Sequence, residues 1–362
     1  MGTLNYFHRI AEVLGRALKD RGLPAKIVEV PTQPTSSIRR RAVYLLQTVM
    51  SHKGVEDRNL HFVGHSTGGL DLRLLLTPGV QLKPSKEEEK VAQRTRSAIT
   101  LSTPHFGTPL ANFFTSLNGR NFLNLLTLMV TSGPGRLGLY LGARFLATVA
   151  HLDDYIGQKG TILDSLSERL FRHITPDQGN EIWEFFRAIS QDQGGMVQLT
   201  PEAIDLFNAS VPDRKGIDYL SFVTAAPPPR MNWSHWKGQN LYNPVTMALY
   251  TVGYLITRRE HRHYPYPSPA NAVKKQIQAK LPFKLHPGTN DGIVPTLSQV
   301  WGRIGGVIVG DHLDVVGQFP QMMDGHRYAG WLHSGANFRE EHFYKLWSDI
   351  ADVIVRAERK SI

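Results

Sequence analysis

Apolar positions along the chain fall into two spacings. Phe7, Ile10, Val13, Leu14, Ala17 and Leu18 recur every three or four residues, the period of an amphipathic helix, and Gly22 marks its end. Residues 25–30 read as a short strand, followed by a loop with Pro31 and Pro34. A second helix is predicted over 38–50, with Ala42, Leu45, Leu46 and Val49 on one face. An apolar run over 59–63 then meets Gly64-His65-Ser66-Thr67-Gly68, and helical spacing resumes at Leu70. Residues 78–90 form a polar, charged loop, and short strands are predicted over 97–101, 217–223 and 305–309. An amphipathic helix over 338–355 closes the chain. Such alternation of helices with short apolar strands predicts an α/β fold, a mostly parallel sheet covered on both faces.

Two stretches interrupt the alternation of a single domain spanning 1–362. Residues 112–190 are predicted to be helical and open on an apolar run containing Phe113, Phe114, Phe122 and Leu123. Gly133-Pro134-Gly135 divides that run from a second apolar helix over 137–149. The segment reads either as an extra packed helix pair or as a helical lid over an apolar site. Residues 227–289 form a second, irregular insertion with an apolar helix over 245–256. Between the two, Thr200 and Pro201 are suited to the N-cap and first turn of a short helix.

Composition narrows the chemistry. With 362 residues, 41% of them hydrophobic, the chain has material for a large core. It contains no cysteine, which excludes disulfides, thiol nucleophiles and thiolate metal sites. No apolar run reaches the length of a membrane span, and residues 1–15 carry no cleavable leader pattern. The net charge of +10 is spread, with short basic clusters at Arg39-Arg40-Arg41 and over 258–263. Without a nucleic-acid motif these read as solvated faces, with attraction to anionic lipid surfaces as the alternative.

Ser66 is the candidate nucleophile. A serine at the apex of a sharp strand-to-helix turn is held in a strained conformation with its hydroxyl exposed above the sheet, and flanking glycines keep the turn free of collisions. A serine hydroxyl needs a base, and the base needs a carboxylate to fix its tautomer. In a fold of this kind the chain order is Ser, acid, His. Asp291, in the loop Asn290-Asp291-Gly292, and His312, directly after the last strand, fit that order. Asp324 is an alternative acid, and His326 and His333 are alternative bases.

Four motifs stand in sequence: Gly-His-Ser-Thr-Gly-Gly-Leu-Asp, Ser-Thr-Pro-His-Phe-Gly-Thr-Pro, Asn-Asp-Gly-Ile-Val-Pro and Asp-His-Leu-Asp-Val-Val-Gly-Gln. Together they resemble the bacterial triacylglycerol lipases of the α/β-hydrolase superfamily. The resemblance runs from about Leu4 to the C-terminus and is weakest over 112–190 and 227–289. It implies an α/β-hydrolase fold with a lid, cleavage of lipid esters, and transient contact of 112–150 with a lipid interface. It further implies Ser66 as nucleophile, Asp291 as acid, His312 as base and the Thr67 N–H as one half of an oxyanion hole, with no cofactor. A short-chain carboxylesterase or polyester depolymerase would use the same groups, and a non-catalytic relative would keep the fold alone.

The chain departs from that family twice. Relatives begin with a strand and a His-Gly loop that supplies the second oxyanion donor; here Met1 falls about where that loop ends, so the N-terminal strand is expected to be missing. Many relatives also hold calcium near the histidine loop. Asp314 and Gln318 match one side of that site, but Glu260 is the only acid between Tyr219 and Asn290, so no metal is expected.

Overall fold

Four strands run parallel in the order β1 (Leu60–His65), β2 (Thr95–Leu101), β3 (Asp218–Ala225) and β4 (Arg303–Val309). The computed structural model describes residues 6–32, 36–55, 58–116, 194–229, 242–259, 269–323, 326–328 and 332–360. His65 lies level with Leu101, Leu101 with Phe222, and Ala225 with Val309, so the C-terminal ends of the strands form one rim. The pairing continues past the strands: Ser66 N–H donates to the Leu101 carbonyl and Ser102 N–H to that of Phe222.

Strand side chains alternate between faces, and the core divides accordingly. Ile99, Leu101, Leu220 and Phe222 pack on one side against α1 (Ile10–Asp20) and α10 (Glu340–Arg359). Phe62, Ala98 and Tyr219 face the other side, towards α2 (Ile38–Ser51), α3 (Gly68–Leu76) and α4 (Glu87–Arg94). The Arg21 guanidinium ties α1 to Asp352 of α10 at 2.8 Å. Buried between α2 and α3, Arg41 meets Asp71 at 3.0 Å. On β2 follows α5 (Pro109–Thr115); α6 (Gly194–Gln198) and α7 (Pro201–Ser210) precede β3. The Thr200 hydroxyl caps α7 by accepting from the Ala203 N–H, as expected. Downstream are α8 (Tyr242–Thr257), α9 (Asn271–Gln278) and a small hairpin of β5 (Gln321–Met323) and β6 (His326–Tyr328). Among the described residues, no helix is long and apolar enough to cross a membrane.

Several sequence expectations require correction. Residues 25–30 form no strand: they join no ladder among the described residues, and their apolar side chains Ile27 and Val30 are satisfied by packing against the two core layers. The charged stretch to residue 90 is not all loop. Glu87, Glu88 and Glu89 form the first turn of α4, where carboxylates complement the positive end of the helix dipole. The second insertion contains α9 as well as the expected apolar helix. Residues 112–116 complete α5, with Phe113 and Phe114 buried, and residues 117–190 of the expected lid lie outside the described residues.

The glycines of the serine turn also differ from expectation. A Cβ on Gly64 would stand 2.7 Å from the backbone of Gly68 and Gly69, and one on Gly69 would overlap the Thr103 side chain. A Cβ on Gly68 meets nothing. The close helix–strand approach therefore demands Gly64 and Gly69, not the second glycine of the pentapeptide. Gly64→Ala should lower unfolding free energy by about 1–3 kcal/mol. Gly68→Ala should leave it unchanged or raise it by up to about 1 kcal/mol. Urea midpoints of the two variants check this, and equal losses would refute it.

Candidate active site

Ser66 follows the last residue of β1 with φ +53°, the left-handed region in which a side chain is strained. The turn places its hydroxyl above the strand rim, half-buried. The rim also receives the two loops that carry Asp291 and His312. His312 follows β4 within two residues of Gly310, whose N–H is held by the Ala225 carbonyl. The Asp291 loop follows α9 and is anchored by Ala226 N–H to the Asn290 carbonyl. A direct backbone bond joins the loops, His312 N–H to the Asp291 carbonyl at 3.0 Å.

The side chains meet in series. Asp291 Oδ2 lies 2.9 Å from His312 Nδ1, and His312 Nε2 lies 2.9 Å from Ser66 Oγ. An ionised carboxylate only accepts, so Nδ1 carries the imidazole proton. Nε2 then presents a lone pair, and the serine hydroxyl donates to it. Asp291 is fully buried, and its other oxygen, Oδ1, accepts from the N–H groups of Ile293 and Val294 at 3.0 and 2.8 Å. Thr67 stands at the N-terminus of α3, and its N–H has no acceptor among the described residues. Residues 1–5, where the family resemblance would look for a second donor, lie outside the described residues. So do Asp324 and the side chain of His326, while the histidine facing Ser66 is His312 rather than His333.

A second serine–histidine–carboxylate series lies at the opposite end of β1. Ser97 Oγ is 2.8 Å from His61 Nδ1, and His61 Nε2 is 3.0 Å from Glu358. Ser97 is wholly buried, so no substrate reaches it. Access to the hydroxyl separates the Ser66 series from this clasp between sheet and C-terminal helix.

Four residues at the site carried no assigned role in the sequence. Thr224 Oγ1 and Gln299 Nε2 reach Asp291 Oδ2 at 2.7 and 3.1 Å. A polar residue at the end of the apolar strand β3, and a glutamine soon after the Asp291 loop, are the only traces of them in the sequence. His65 donates from Nε2 to the His312 carbonyl at 2.8 Å, and its Nδ1 accepts from the Tyr6 hydroxyl at 2.7 Å. Burial holds His65 neutral, pushing its pKa well below the usual histidine range, and the nearby His312 ring adds to this. Burial raises the Tyr6 hydroxyl, which stays protonated and able to donate.

Asp314 and Gln318, the residues matching one side of the family's calcium site, are both engaged by neighbouring protein groups. The Asp314 carboxylate accepts from Asp311 N–H at 2.8 Å, and Asp311 Oδ1 accepts from the N–H groups of Leu313 and Asp314. Burial lifts Asp311 to about 6 and raises Asp314 further, with Asp311 adding to the second shift. The Gln318 amide donates to the Tyr6 carbonyl. Among the described residues no group of three or more acidic, histidine or cysteine side chains is placed to hold a metal.

Strand, tight turn with a serine at its apex, helix, then acid and histidine on later rim loops: this is the arrangement of the α/β-hydrolase fold. No family model matches the chain, and no curated protein matches it. Among solved structures it is similar to the Staphylococcus hyicus lipase, at 15% identity and a TM-score of 0.48, covering 99% of this chain and 92% of that one. It is similar to EstA from Clostridium botulinum at 18% identity and a TM-score of 0.46, covering 94% and 80%. The mature Bacillus licheniformis lipase BlEst2 is 14% identical with a TM-score of 0.41, covering 87% and 82%.

The neutral His65 has a consequence for stability. Its folded pKa lies below its unfolded value of about 6.5, so the unfolded chain gains the proton first. Its contribution is intact above that value and is lost as pH falls. His65→Gln keeps a donor for the His312 carbonyl but removes the titration. The stability gap between wild type and His65→Gln should therefore narrow by about 1 kcal/mol between pH 6.5 and 5.5. Urea unfolding at the two pH values measures it, and a constant gap would contradict a neutral His65.

Proposed function

We propose that the protein is a serine ester hydrolase, lipase-like, which cleaves carboxylic esters of lipids through an acyl-enzyme on Ser66. The observation that carries this reading is the His312 ring, which bridges a buried carboxylate and a half-buried serine hydroxyl with 2.9 Å contacts on both sides. In the proposed reaction His312 Nε2 takes the Ser66 proton as Oγ attacks the ester carbonyl. Negative charge develops on the carbonyl oxygen near the Thr67 N–H and the N-terminus of α3, a position suited to an anion. The imidazolium, facing Asp291, returns its proton to the leaving alcohol, and water admitted to the same position releases the acid. The lipid part of the reading rests on the order of the four sequence motifs, which is lipase-like. It extends to triacylglycerol as the proposed natural ester.

Hydrolysis of p-nitrophenyl esters from acetate to palmitate tests the chemistry and the substrate class together. Turnover should rise towards the long acyl chains, whereas a maximum at acetate would replace the lipase reading by a short-chain esterase. Ser66→Ala and His312→Ala should each lower turnover by about 10⁴-fold or more, and the double variant should fall no further, because the two groups act as a unit. Near-normal turnover in Ser66→Ala would end the proposal. An inert wild type would indicate a non-catalytic member of the fold.

A further inference from the structure

Among the described residues Ser102 is the second serine with a left-handed backbone, and it has the same φ as Ser66, +53°. It directly follows β2, one strand over from Ser66, is wholly buried, and opens the motif Ser-Thr-Pro-His. The strain at Ser66 is explained by the need to expose its hydroxyl. At Ser102 no such need exists, and glycine would adopt this backbone freely. A non-glycine residue held there against its preference points to a use for its side chain.

The hydroxyl of Ser102 lies 2.9 Å from Thr224 Oγ1. Thr224 Oγ1 also faces Asp291 Oδ2 at 2.7 Å and Gln299 Oε1 at 3.0 Å. The direction of each bond follows from what every group can donate. Gln299 Nε2 faces three acceptors, the Thr224 and Val294 carbonyls and Asp291 Oδ2, which fixes the amide orientation. Its Oε1 therefore accepts, and the Thr224 N–H supplies it at 2.6 Å. The single Thr224 hydroxyl proton goes to the closer and charged acceptor, Asp291 Oδ2. Towards Ser102, Thr224 has only lone pairs left, so Ser102 must donate. The protons run one way: Ser102 O–H to Thr224 O–H to Asp291, which faces the imidazole of His312.

We propose that Ser102 and Thr224 are positioning residues that form a one-way hydrogen-bond relay fixing the Asp291 carboxylate against His312. The proposal rests on the reading of Ser66, His312 and Asp291 as the reacting series. Each donor in the relay polarises the next, so the bond that reaches the carboxylate is stronger than one from an isolated hydroxyl. Asp291 Oδ2 is thereby held in the plane that His312 Nδ1 needs, and the backbone strain at Ser102 is the cost of placing the first donor.

The experiment compares Ser102→Gly, Thr224→Val and Thr224→Ser with wild type and Ser66→Ala, using p-nitrophenyl butyrate turnover and thermal midpoints of the full chain. Ser102→Gly removes the donor and the strain together. It should keep or raise the midpoint, leave KM unchanged and lower kcat about three- to tenfold. Thr224→Val should lower kcat by about tenfold to a hundredfold, the range for losing a hydrogen bond to a charged group. Thr224→Ser, which retains the hydroxyl, should recover kcat to within about twofold of wild type. Wild-type kcat in Ser102→Gly, or a kcat loss matched by a fall in its midpoint, would overturn the relay. So would equal kcat in Thr224→Val and Thr224→Ser. If Ser66→Ala is inactive while Ser102→Gly is normal, the relay alone fails; if Ser66→Ala matches wild type, the reading of the reacting series fails and takes the relay with it.

Discussion

The contact between His312 Nδ1 and Asp291 Oδ2 sets the terms for everything around it. A carboxylate buried to this degree is costly unless each of its lone pairs meets a donor. Two loop N–H groups meet one oxygen, and the imidazole, Thr224 and Gln299 meet the other. Because those donors come from β3, from the Asp291 loop and from the short helical turn Thr296–Gln299, the site assembles only when the sheet has formed in register. The parallel sheet contributes the geometry: all its strands end on one rim, so residues far apart in the chain arrive at one edge.

The same economy governs the other buried polar groups. His65 and His105 are kept neutral chiefly by burial, and each ring makes hydrogen bonds that a neutral imidazole can make. Asp71 is raised to about 6 by burial although Arg41 opposes the shift. Arg73 is buried with its guanidinium carbon 3.4 Å from the centre of the Trp301 ring, and Asn208 and the Val211 carbonyl accept from the guanidinium. Such a ring contact suits a weakly hydrated guanidinium better than it would an ammonium. Polar side chains thus pin α3, α7 and the rim loops to the sheet, while the two apolar layers hold α1, α2 and α10.

What the sequence discloses follows from what chemistry restricts. A nucleophile turn tolerates few residue types, and strand-end loops are short, so Ser66, Asp291 and His312 stand out by type and order. The donors around Asp291 do not, because any hydroxyl or amide in the right place satisfies a carboxylate; Thr224 and Gln299 resemble ordinary polar residues. Periodicity locates α1, α2 and α10 because each buries one face. It misplaces a strand at 25–30, since an apolar–polar rhythm records burial of Ile27 and Val30 and says nothing of a ladder partner. It passes over the start of α4, whose three glutamates look like loop until their place at a helix N-terminus is seen. The demand for Gly69 rather than Gly68 depends on Thr103, thirty-odd residues away, and is invisible locally.

The central claim is that Ser66 is an activated nucleophile, and covalent labelling tests it without assuming a substrate. Wild-type protein is treated with a fluorophosphonate, digested with trypsin and mapped by mass spectrometry. One adduct per chain is expected, on the peptide spanning 59–73, and it should disappear in His312→Ala. An unlabelled wild type, or an adduct on another serine such as Ser97, would contradict the account.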